Sequence, residues 1–186
     1  MKVTPTNLPE VLLIEPQLFS DARGSFMETY QASRYSDAGI SETFVQDNVS
    51  RSDRGVLRGL HYQQPNYQGK LVSVLEGEVL DVAVDIRIGS PNFGKWISQC
   101  LSSENRYQLF IPQGFAHGFC VTSETALFMY KCSSPYDPQG EGIVLWNDPA
   151  LGIEWPACDI TVSEKDAKGS LLGDIDPNLL PRYHPQ

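Results

Sequence analysis

Short apolar runs separated by glycine and proline recur along the chain, and this spacing restricts the fold class more than any other feature. The 186 residues include 13 prolines and 15 glycines, which break long helices. Strand patterns occur at 11–14, 25–30, 44–49, 56–62, 70–75, 79–87, 95–101, 107–111, 125–132 and 143–146. Ten short strands with frequent turns predict an antiparallel barrel or jelly roll.

The run at 78–87 gives the clearest strand pattern. Apolar residues occupy every even position from 80 to 86, whereas the odd positions carry Asp81, Ala83, Asp85 and Arg87. Because successive side chains of a strand point to opposite faces, one face is apolar and the other mainly polar. The preceding Glu-Gly-Glu at 76–78 predicts a hairpin turn.

Helices are expected to be few and short. The segment 31–38 is followed by Gly39, the residue type that commonly terminates a helix. A second helix is predicted to begin near Ser163, where Ser-Glu-Lys-Asp resembles a capping box. No repeat or linker interrupts the sequence, so we expect one domain over 1–186. The Pro-rich end, 169–186, is predicted to be an extended C-terminal tail.

The charge balance limits the partners of the chain. Its 23 acidic and 14 basic residues give a net charge of −9, which disfavours a nucleic acid polymer or an anionic membrane surface. No apolar run is long enough to span a bilayer, and the N-terminus does not resemble a signal peptide. The four cysteines lack Cys-x-x-Cys spacing (Cys100, Cys120, Cys132 and Cys158). We therefore expect a cytoplasmic protein with reduced thiols.

Three cationic or titratable residues cluster at 55–70 of this acidic chain. Arg58, His61 and Lys70 lie within strand-like sequence, where they could bind an anion and transfer a proton beside it. The alternative is a buried core histidine between two cations at hairpin ends, and this stretch alone slightly favours that alternative. The rest of the sequence favours a functional site.

The segment at 112–119 resembles the second half of a cupin signature, in which the Pro-x-Gly turn directs His117 into a barrel. A metal-binding cupin would also carry His-x-His in its first half, but here Gln63 follows His61 at that spacing. The remaining His184 lies in the tail. Two imidazoles without a third ligand make a poor site for zinc or iron, so no metal is expected.

Nine motifs in a fixed order identify the family that this chain resembles, the dTDP-4-dehydrorhamnose 3,5-epimerases. The resemblance covers about 11–172. It rests on 21–24 (Asp-Ala-Arg-Gly), 44–48 (Phe-Val-Gln-Asp-Asn), 57–61 (Leu-Arg-Gly-Leu-His), 68–72 (Gln-Gly-Lys-Leu-Val), 82–87 (Val-Ala-Val-Asp-Ile-Arg), 111–119 (Ile-Pro-Gln-Gly-Phe-Ala-His-Gly-Phe), 130–131 (Tyr-Lys), 145–149 (Leu-Trp-Asn-Asp-Pro) and 163–166 (Ser-Glu-Lys-Asp).

The resemblance implies an all-β, cupin-type antiparallel jelly-roll barrel with a few short peripheral helices. It implies an isomerase without metal or other cofactor that inverts C3 and C5 of dTDP-4-dehydro-6-deoxy-D-glucose to give dTDP-4-dehydro-L-rhamnose. It also implies a homodimer whose N-terminal strand joins the sheet of the partner. Relatives that act on similar dTDP-4-keto-6-deoxyhexoses but invert one carbon remain an alternative.

Inversion beside a ketone needs a base on one face of the sugar, an acid on the other, and a group that stabilises the enolate oxygen. His61 suits the base because its ordinary pKa lies near neutrality. Tyr130 suits the acid because its phenol is protonated at pH 7, and Lys70 suits the enolate as a compact cation. The resemblance implies the same three roles. A barrel aromatic and a solvated lysine are the alternatives.

A histidine base works best when a carboxylate holds its second nitrogen. The resemblance implies Asp166 for this position. Asp166 could instead be the third residue of the helix that Ser163 begins, because the spacing fits. Asp81 and Asp85 are secondary candidates for the partner of His61.

The resemblance also implies a set of substrate-binding residues. It implies that Tyr136 stacks on the thymine and that arginine and lysine bind the phosphates. The implied contact residues are Arg23, Glu28, Gln46, Asp47, Asn48, Arg58, Lys70, His117, Glu141 and Lys165. Each could instead be an ordinary surface residue.

Arg58 and His61 are three positions apart, so a regular strand would direct them to opposite faces. A bulge at Gly59 could bring both side chains to one face. Otherwise, one of the two must serve the mouth of the barrel or a neighbouring subunit.

Two other classes of protein remain possible. A metal-dependent cupin oxygenase is disfavoured by Gln63, and metal analysis would identify it. A non-catalytic sugar-binding cupin would not need both His61 and Tyr130, and it would not exchange substrate protons with solvent.

Overall fold

Thirteen strands and one α-helix form within residues 1–185, the part of the chain that the computed structural model describes. The strands are β1 (Lys2–Pro5), β2 (Leu12–Glu15), β3 (Leu18–Asp21), β4 (Gly24–Met27), β5 (Gln46–Asp53), β6 (Leu57–Gln63), β7 (Lys70–Glu76), β8 (Glu78–Asp85), β9 (Trp96–Ser102), β10 (Gln108–Ile111), β11 (Phe115–Val121), β12 (Thr125–Cys132) and β13 (Glu141–Ile143). The helix α1 spans Ala32–Asp37, and 3-10 helices span Asp166–Lys168, Leu172–Asp174 and Pro177–Leu179. No helix among these residues is long and apolar enough to cross a membrane.

Two antiparallel sheets pack face to face. The larger has the order β1-β2-β10-β7-β12-β5 and the smaller has the order β13-β6-β11-β8-β9, while β3 and β4 form a separate hairpin. Connections repeatedly pass from one sheet to the other, as in a jelly roll. The predicted all-β, antiparallel jelly-roll fold class is confirmed.

The main core lies between the sheets. Val72 and Phe128 of the larger sheet pack with Ala83 and Phe119 of the smaller sheet in one buried cluster. The rings of Phe119 and Phe128 stack with centroids 4.1 Å apart. This apolar layer supports the wall of the cavity described below.

The apolar face of β8 lies outside the barrel, and its mainly polar face points inward. Val82 and Val84 pack outside the barrel in a second cluster with Leu172 and Leu180, whereas Asp81 and Ala83 point inward. The C-terminal tail therefore buries apolar side chains on the outer face of the smaller sheet. The tail is not simply extended, because two 3-10 helices interrupt it between Leu172 and Leu179.

Several local predictions were wrong or incomplete. The patterns do not predict β1, β3 or β11, and the predicted α-helix near Ser163 is only the 3-10 turn Asp166–Lys168. The turn at 76–78 does not close a hairpin, because β7 and β8 belong to different sheets. The helix predicted at 31–38 is confirmed, with the Gln31 side chain accepting the backbone N–H of Arg34 at its start.

Candidate active site

A polar cavity opens between the two sheets. It consists of a part of ≈ 310 Å³ and a part of ≈ 510 Å³. The two parts share His61, Lys70, Tyr130, Tyr136 and Glu141 as lining residues, so they form one continuous site. Its size suits a small ligand whose ends meet different polar groups.

Glycines permit the close approach of β6 and β11 behind this cavity. A Cβ atom on Gly59 would lie 2.5 Å from the Cα of Gly118, and Gly59 has a φ of +143° that side chains rarely adopt. The register pairs His117 with His61 but Phe119 with Arg58, so it shifts between these pairs. The irregularity predicted at Gly59 is confirmed, and Arg58 and His61 both line the cavity.

His61 is held by a carboxylate from the far end of the chain. Its Nε2 lies 2.8 Å from Oδ1 of Asp166, and Oδ2 of Asp166 accepts the N–H of Gly59 at 3.3 Å. The backbone N–H of Asp166 donates to Oγ of Ser163 at 3.0 Å. Asp166 is thus both the partner of His61 and the residue capped by Ser163, so the two sequence-based alternatives coexist. Asp85 pairs with Arg87 instead.

Backbone pairing fixes the segment that carries Asp166. Residues Val56 and Thr161 form a parallel bridge. The N–H of Leu57 donates to the oxygen of Thr161 at 2.9 Å, and the N–H of Thr161 donates to the oxygen of Gly55 at 2.9 Å. We name residues 155–170 the closing segment, because it includes the residues that line this side of the cavity, Thr161, Val162, Ser163, Lys165 and Asp166.

The electrostatics favour an ionised Asp166. Burial alone would raise the pKa of this carboxyl, but hydrogen bonds from His61 and Gly59, with the charge of His61, lower its pKa below the ordinary value. An ionised carboxylate only accepts hydrogen bonds, so the proton between the two residues belongs to Nε2 of His61. The other imidazole nitrogen, Nδ1, is then unprotonated in neutral His61.

Lys70 and Tyr130 belong to the larger sheet and therefore face His61 from the opposite wall. Lys70 is only 9 % exposed, and burial lowers its pKa. The negative charges of Cys132, Asp81 and Glu141 act in the opposite direction, but their effect is smaller. Burial raises the pKa of Tyr130. Tyr130 therefore keeps its proton over a wide pH range, whereas the charge of Lys70 is sensitive to its surroundings.

The rim of the cavity combines an aromatic ring with ion pairs. The hydroxyl of Tyr136 donates to Oε2 of Glu141 at 2.8 Å, and Lys165 pairs with the same carboxylate oxygen. Burial would raise the pKa of Glu141, but hydrogen bonds from Lys165 and Tyr136 lower it. The side chain of Tyr136 remains half exposed, so its ring is accessible to a planar group.

Amide groups from β5 complete this rim. Nε2 of Gln46 donates to Oδ1 of Asn48 at 3.1 Å, and Oε1 of Gln46 accepts the N–H of Tyr136 at 2.9 Å. Both amides line the smaller part of the cavity. They can offer donors and acceptors to a nucleobase or a sugar.

Three predicted binding residues lie outside the cavity of this chain. Arg23 forms an ion pair with Asp21 on the exposed β3–β4 hairpin. Glu28 pairs with Arg34, and Asp47 pairs with Lys131. Their side chains are therefore engaged at the surface rather than in the cavity.

The sequence of the chain matches that of a known enzyme family. A family model described as dTDP-4-dehydrorhamnose 3,5-epimerase matches residues 5–174. The chain belongs to the dTDP-4-dehydrorhamnose 3,5-epimerase family. The fold is accordingly the cupin-type jelly roll of this epimerase family.

Individual relatives agree with the family model. A dTDP-4-dehydrorhamnose 3,5-epimerase of Pseudomonas aeruginosa is 52 % identical over 95 % of this chain and 98 % of its own length. One from Neisseria gonorrhoeae is 51 % identical over 97 % of this chain, which spans only 55 % of that relative. A dTDP-6-deoxy-D-glucose-3,5-epimerase of Legionella pneumophila in complex with dTDP-4-keto-L-rhamnose is 53 % identical, with a TM-score of 0.97 and 99 % of each chain covered.

The sequence patterns did not reveal every polar contact in this member of the epimerase family. Asp81 was considered only as a partner of His61, but its Oδ2 lies 2.9 Å from Nε2 of His117. The signal was present in the alternation of β8, which directs Asp81 to the same face as Ala83. Gln68 and Gln63 also line the smaller part of the cavity. The sequence analysis included Gln68 only within the motif at 68–72, and it considered Gln63 only as the residue in place of a second cupin histidine.

The donor set of this cavity does not resemble a metal centre. Within residues 1–185, no group of three or more His, Cys, Asp or Glu side chains is arranged to hold a metal ion. His61 and His117 each direct Nε2 to an aspartate, an arrangement that metal-ligating histidines also show, so what distinguishes this site is the lack of a third clustered ligand among these residues.

Proposed function

We propose that this chain inverts C3 and C5 of dTDP-4-dehydro-6-deoxy-D-glucose, giving dTDP-4-dehydro-L-rhamnose, by proton transfer through an enolate. Membership of the 3,5-epimerase family supports the reaction. The observation that carries the mechanism is a carboxylate-held histidine, 2.8 Å from its aspartate, facing Tyr130 across a cavity lined by Lys70. These groups correspond to the base, acid and enolate stabiliser that epimerisation needs.

His61 acts as the base in this proposal. Asp166 takes the proton-bearing Nε2, so Nδ1 is the nitrogen that removes the proton from carbon. The imidazolium that forms is stabilised by the adjacent carboxylate, in the manner of other carboxylate-supported histidine bases.

Lys70 and Tyr130 serve the other half of the reaction. The ammonium of Lys70 stabilises negative charge that develops on the C4 oxygen as the proton leaves. Tyr130 then delivers a proton to the opposite face of the carbon, and its raised pKa keeps the phenol protonated until that step. Because the carbonyl at C4 is adjacent to both C3 and C5, one enolate-stabilising group serves both inversions.

The remaining cavity residues bind the nucleotide in this proposal. Arg58 and Lys165 supply cations for the diphosphate, and Tyr136 stacks on the thymine. The complex of the Legionella pneumophila relative with dTDP-4-keto-L-rhamnose supports a dTDP-sugar ligand. Further hydrogen bonds come from Gln46, Asn48, His117 and Glu141.

We further propose a cytoplasmic homodimer of single-domain chains. Phe19 is 54 % exposed and Phe26 is 68 % exposed on the β3–β4 hairpin, which is unusual for large apolar side chains unless a partner covers them. In this proposal, the hairpin docks beside the cavity of the second copy, where Arg23 and Glu28 could contact the ligand. Light scattering of wild type and Phe26→Ser tests the dimer, because the serine should shift the molecular mass towards one chain.

Solvent exchange tests the proposed activity directly. Incubation of dTDP-4-dehydro-6-deoxy-D-glucose with the protein in D₂O should introduce deuterium at both C3 and C5, as read by NMR or mass spectrometry. Deuterium at only one carbon would instead support the alternative, an epimerase that inverts one centre. Binding without exchange would refute the enzymatic proposal and support a sugar-binding protein.

A further inference from the structure

Asp81 is a buried carboxylate whose hydrogen bonding is incomplete. The residue is 0 % exposed. Its Oδ2 lies 2.9 Å from Nε2 of His117, whereas Oδ1 has no hydrogen-bond partner among residues 1–185. Buried polar atoms are almost always paired, so an unpaired carboxylate oxygen at this depth requires an explanation.

The nearest explanation is the cation on the opposite wall. Asp81 lies on β8 and faces the cavity side of the smaller sheet, next to His117 of β11. Lys70 lies at the start of β7 in the larger sheet and lines the same cavity as His117. Burial raises the pKa of Asp81 and lowers the pKa of Lys70, and the charge of each opposes this effect of burial on the other, although the two do not form a direct ion pair among the described residues.

We propose that Asp81 is a positioning residue of the epimerase reaction, which keeps Lys70 protonated and fixes the tautomer of His117. This inference rests on the proposed function. An ionised Asp81 accepts the proton of Nε2, so neutral His117 presents Nδ1 as an acceptor. The negative charge of this carboxylate, whose Oδ1 has no hydrogen-bond partner among residues 1–185, offsets the burial of the Lys70 ammonium. Asp81 thereby acts through Lys70 and His117.

The alkaline limb of the rate profile should report on this interaction. Two protonated groups are needed in the proposed mechanism, the ammonium of Lys70 and the phenol of Tyr130. Burial lowers the pKa of Lys70 but raises the pKa of Tyr130, so we expect Lys70 to lose its proton first as the pH rises. The titratable groups around Lys70 are Cys132 and Tyr130 of β12, Asp81 of β8, His117 of β11, His61 of β6 and Glu141 of β13.

Asp81→Asn is the appropriate perturbation. The amide keeps an oxygen that can accept the Nε2 proton of His117, but the charge is lost. We expect the alkaline limb of kcat to move to lower pH, because Lys70 then loses its proton more readily. At pH 8, kcat should fall on the order of tenfold, less than the ~10²–10³-fold effect of removing a stabilising group entirely. KM should change little, because Asp81 makes no contact proposed for the nucleotide.

Asp85→Asn is the matched control. Asp85 is also a fully buried carboxylate on β8, but it pairs with Arg87 and Ser90 away from the cavity. Its loss should lower the melting temperature and leave the position of the alkaline limb unchanged. If the limb of Asp81→Asn coincides with that of wild type and Asp85→Asn, Asp81 does not support Lys70 and the proposal is overturned.

A double-mutant cycle of Asp81 and Lys70, read by melting temperature, tests the same interaction without any assay of activity. In Lys70→Met, the charge of Asp81 loses its counter-ion, so adding Asp81→Asn to this variant should raise the melting temperature. An equal effect of Asp81→Asn with and without Lys70 would contradict the coupling. Absence of solvent exchange by wild type would refute the proposed function, whereas wild-type exchange with no coupling would refute only the role of Asp81.

Discussion

Replacement of Asp166 by asparagine tests whether the carboxylate is needed to hold His61, the proposed base, in its active tautomer. The substitution changes the shape of the side chain very little. Both oxygens of Asp166 accept hydrogen bonds, one from Nε2 of His61 and one from the N–H of Gly59. Asparagine has a single side-chain acceptor. If its oxygen stays with Gly59, its NH₂ faces His61 and forces the proton onto Nδ1, the nitrogen that should act as the base. If the amide oxygen instead faces His61, the N–H of Gly59 loses its hydrogen-bond partner.

The magnitude follows from the contact that is lost. A hydrogen bond to a charged group contributes about 1.5–3 kcal/mol, and each ~1.4 kcal/mol of barrier changes the rate tenfold. We therefore expect kcat for Asp166→Asn to fall by roughly 10-fold to 150-fold. The affinity for dTDP should be nearly unchanged, because Asp166 lies beneath His61 rather than at the aromatic rim.

NMR time courses of deuterium exchange in D₂O measure the rate, and calorimetry measures the affinity for dTDP. Ser163→Ala serves as the control, since it removes the hydroxyl that accepts the N–H of Asp166 but leaves the carboxylate and its charge. Ser163→Ala should lower the melting temperature but should leave the rate of deuterium exchange close to that of wild type. A wild-type exchange rate in Asp166→Asn would refute the reasoning, because the imidazole would then need no carboxylate to select its tautomer.

His61→Ala should abolish exchange at both C3 and C5, by at least the ~10²–10⁴-fold typical of a general base, while calorimetry detects nearly normal dTDP binding; near-normal turnover would exclude His61 as the base. Tyr130→Phe should still exchange deuterium into substrate with retention, faster than it forms inverted product, because abstraction survives and delivery fails; inversion at a normal rate would make Tyr130 only a packing residue. Exhaustive EDTA treatment should leave the exchange rate unchanged, since His61 and His117 have no third ligand within residues 1–185; loss of activity that one divalent ion restores would contradict this.

Strands with clear alternation or flanking turns could be predicted from the sequence. The run at 125–132 coincides with β12, and most other runs differ only at their ends. β11 could not be predicted, because all seven of its residues are buried and no polar face produces an alternating pattern. Gly118 in its centre also argues against a strand unless the close approach of Gly59 is known.

The site residues that could be predicted from the sequence are those whose side-chain chemistry suits one particular step of the reaction. The sequence already placed His61, Lys70 and Tyr130 among the candidates, and the fold brings all three to one cavity. The partners of the two histidines depend on tertiary contacts, so the sequence left Asp81 and Asp166 as alternatives for one position. The structure assigns Asp166 to His61 and Asp81 to His117.

The position of Asp166 in the chain has a consequence for synthesis. Every strand of both sheets ends by Ile143, so the barrel can be complete on a growing chain before the closing segment has been made. Such a chain would hold its imidazole in a cavity that still lacks the wall formed by residues 161–166, and without the carboxylate that selects its tautomer. Activity would begin only when the last part of the chain docks beside Gly55 and Leu57. In the mature protein, brief local detachment of the same segment would silence the enzyme while the barrel stays folded.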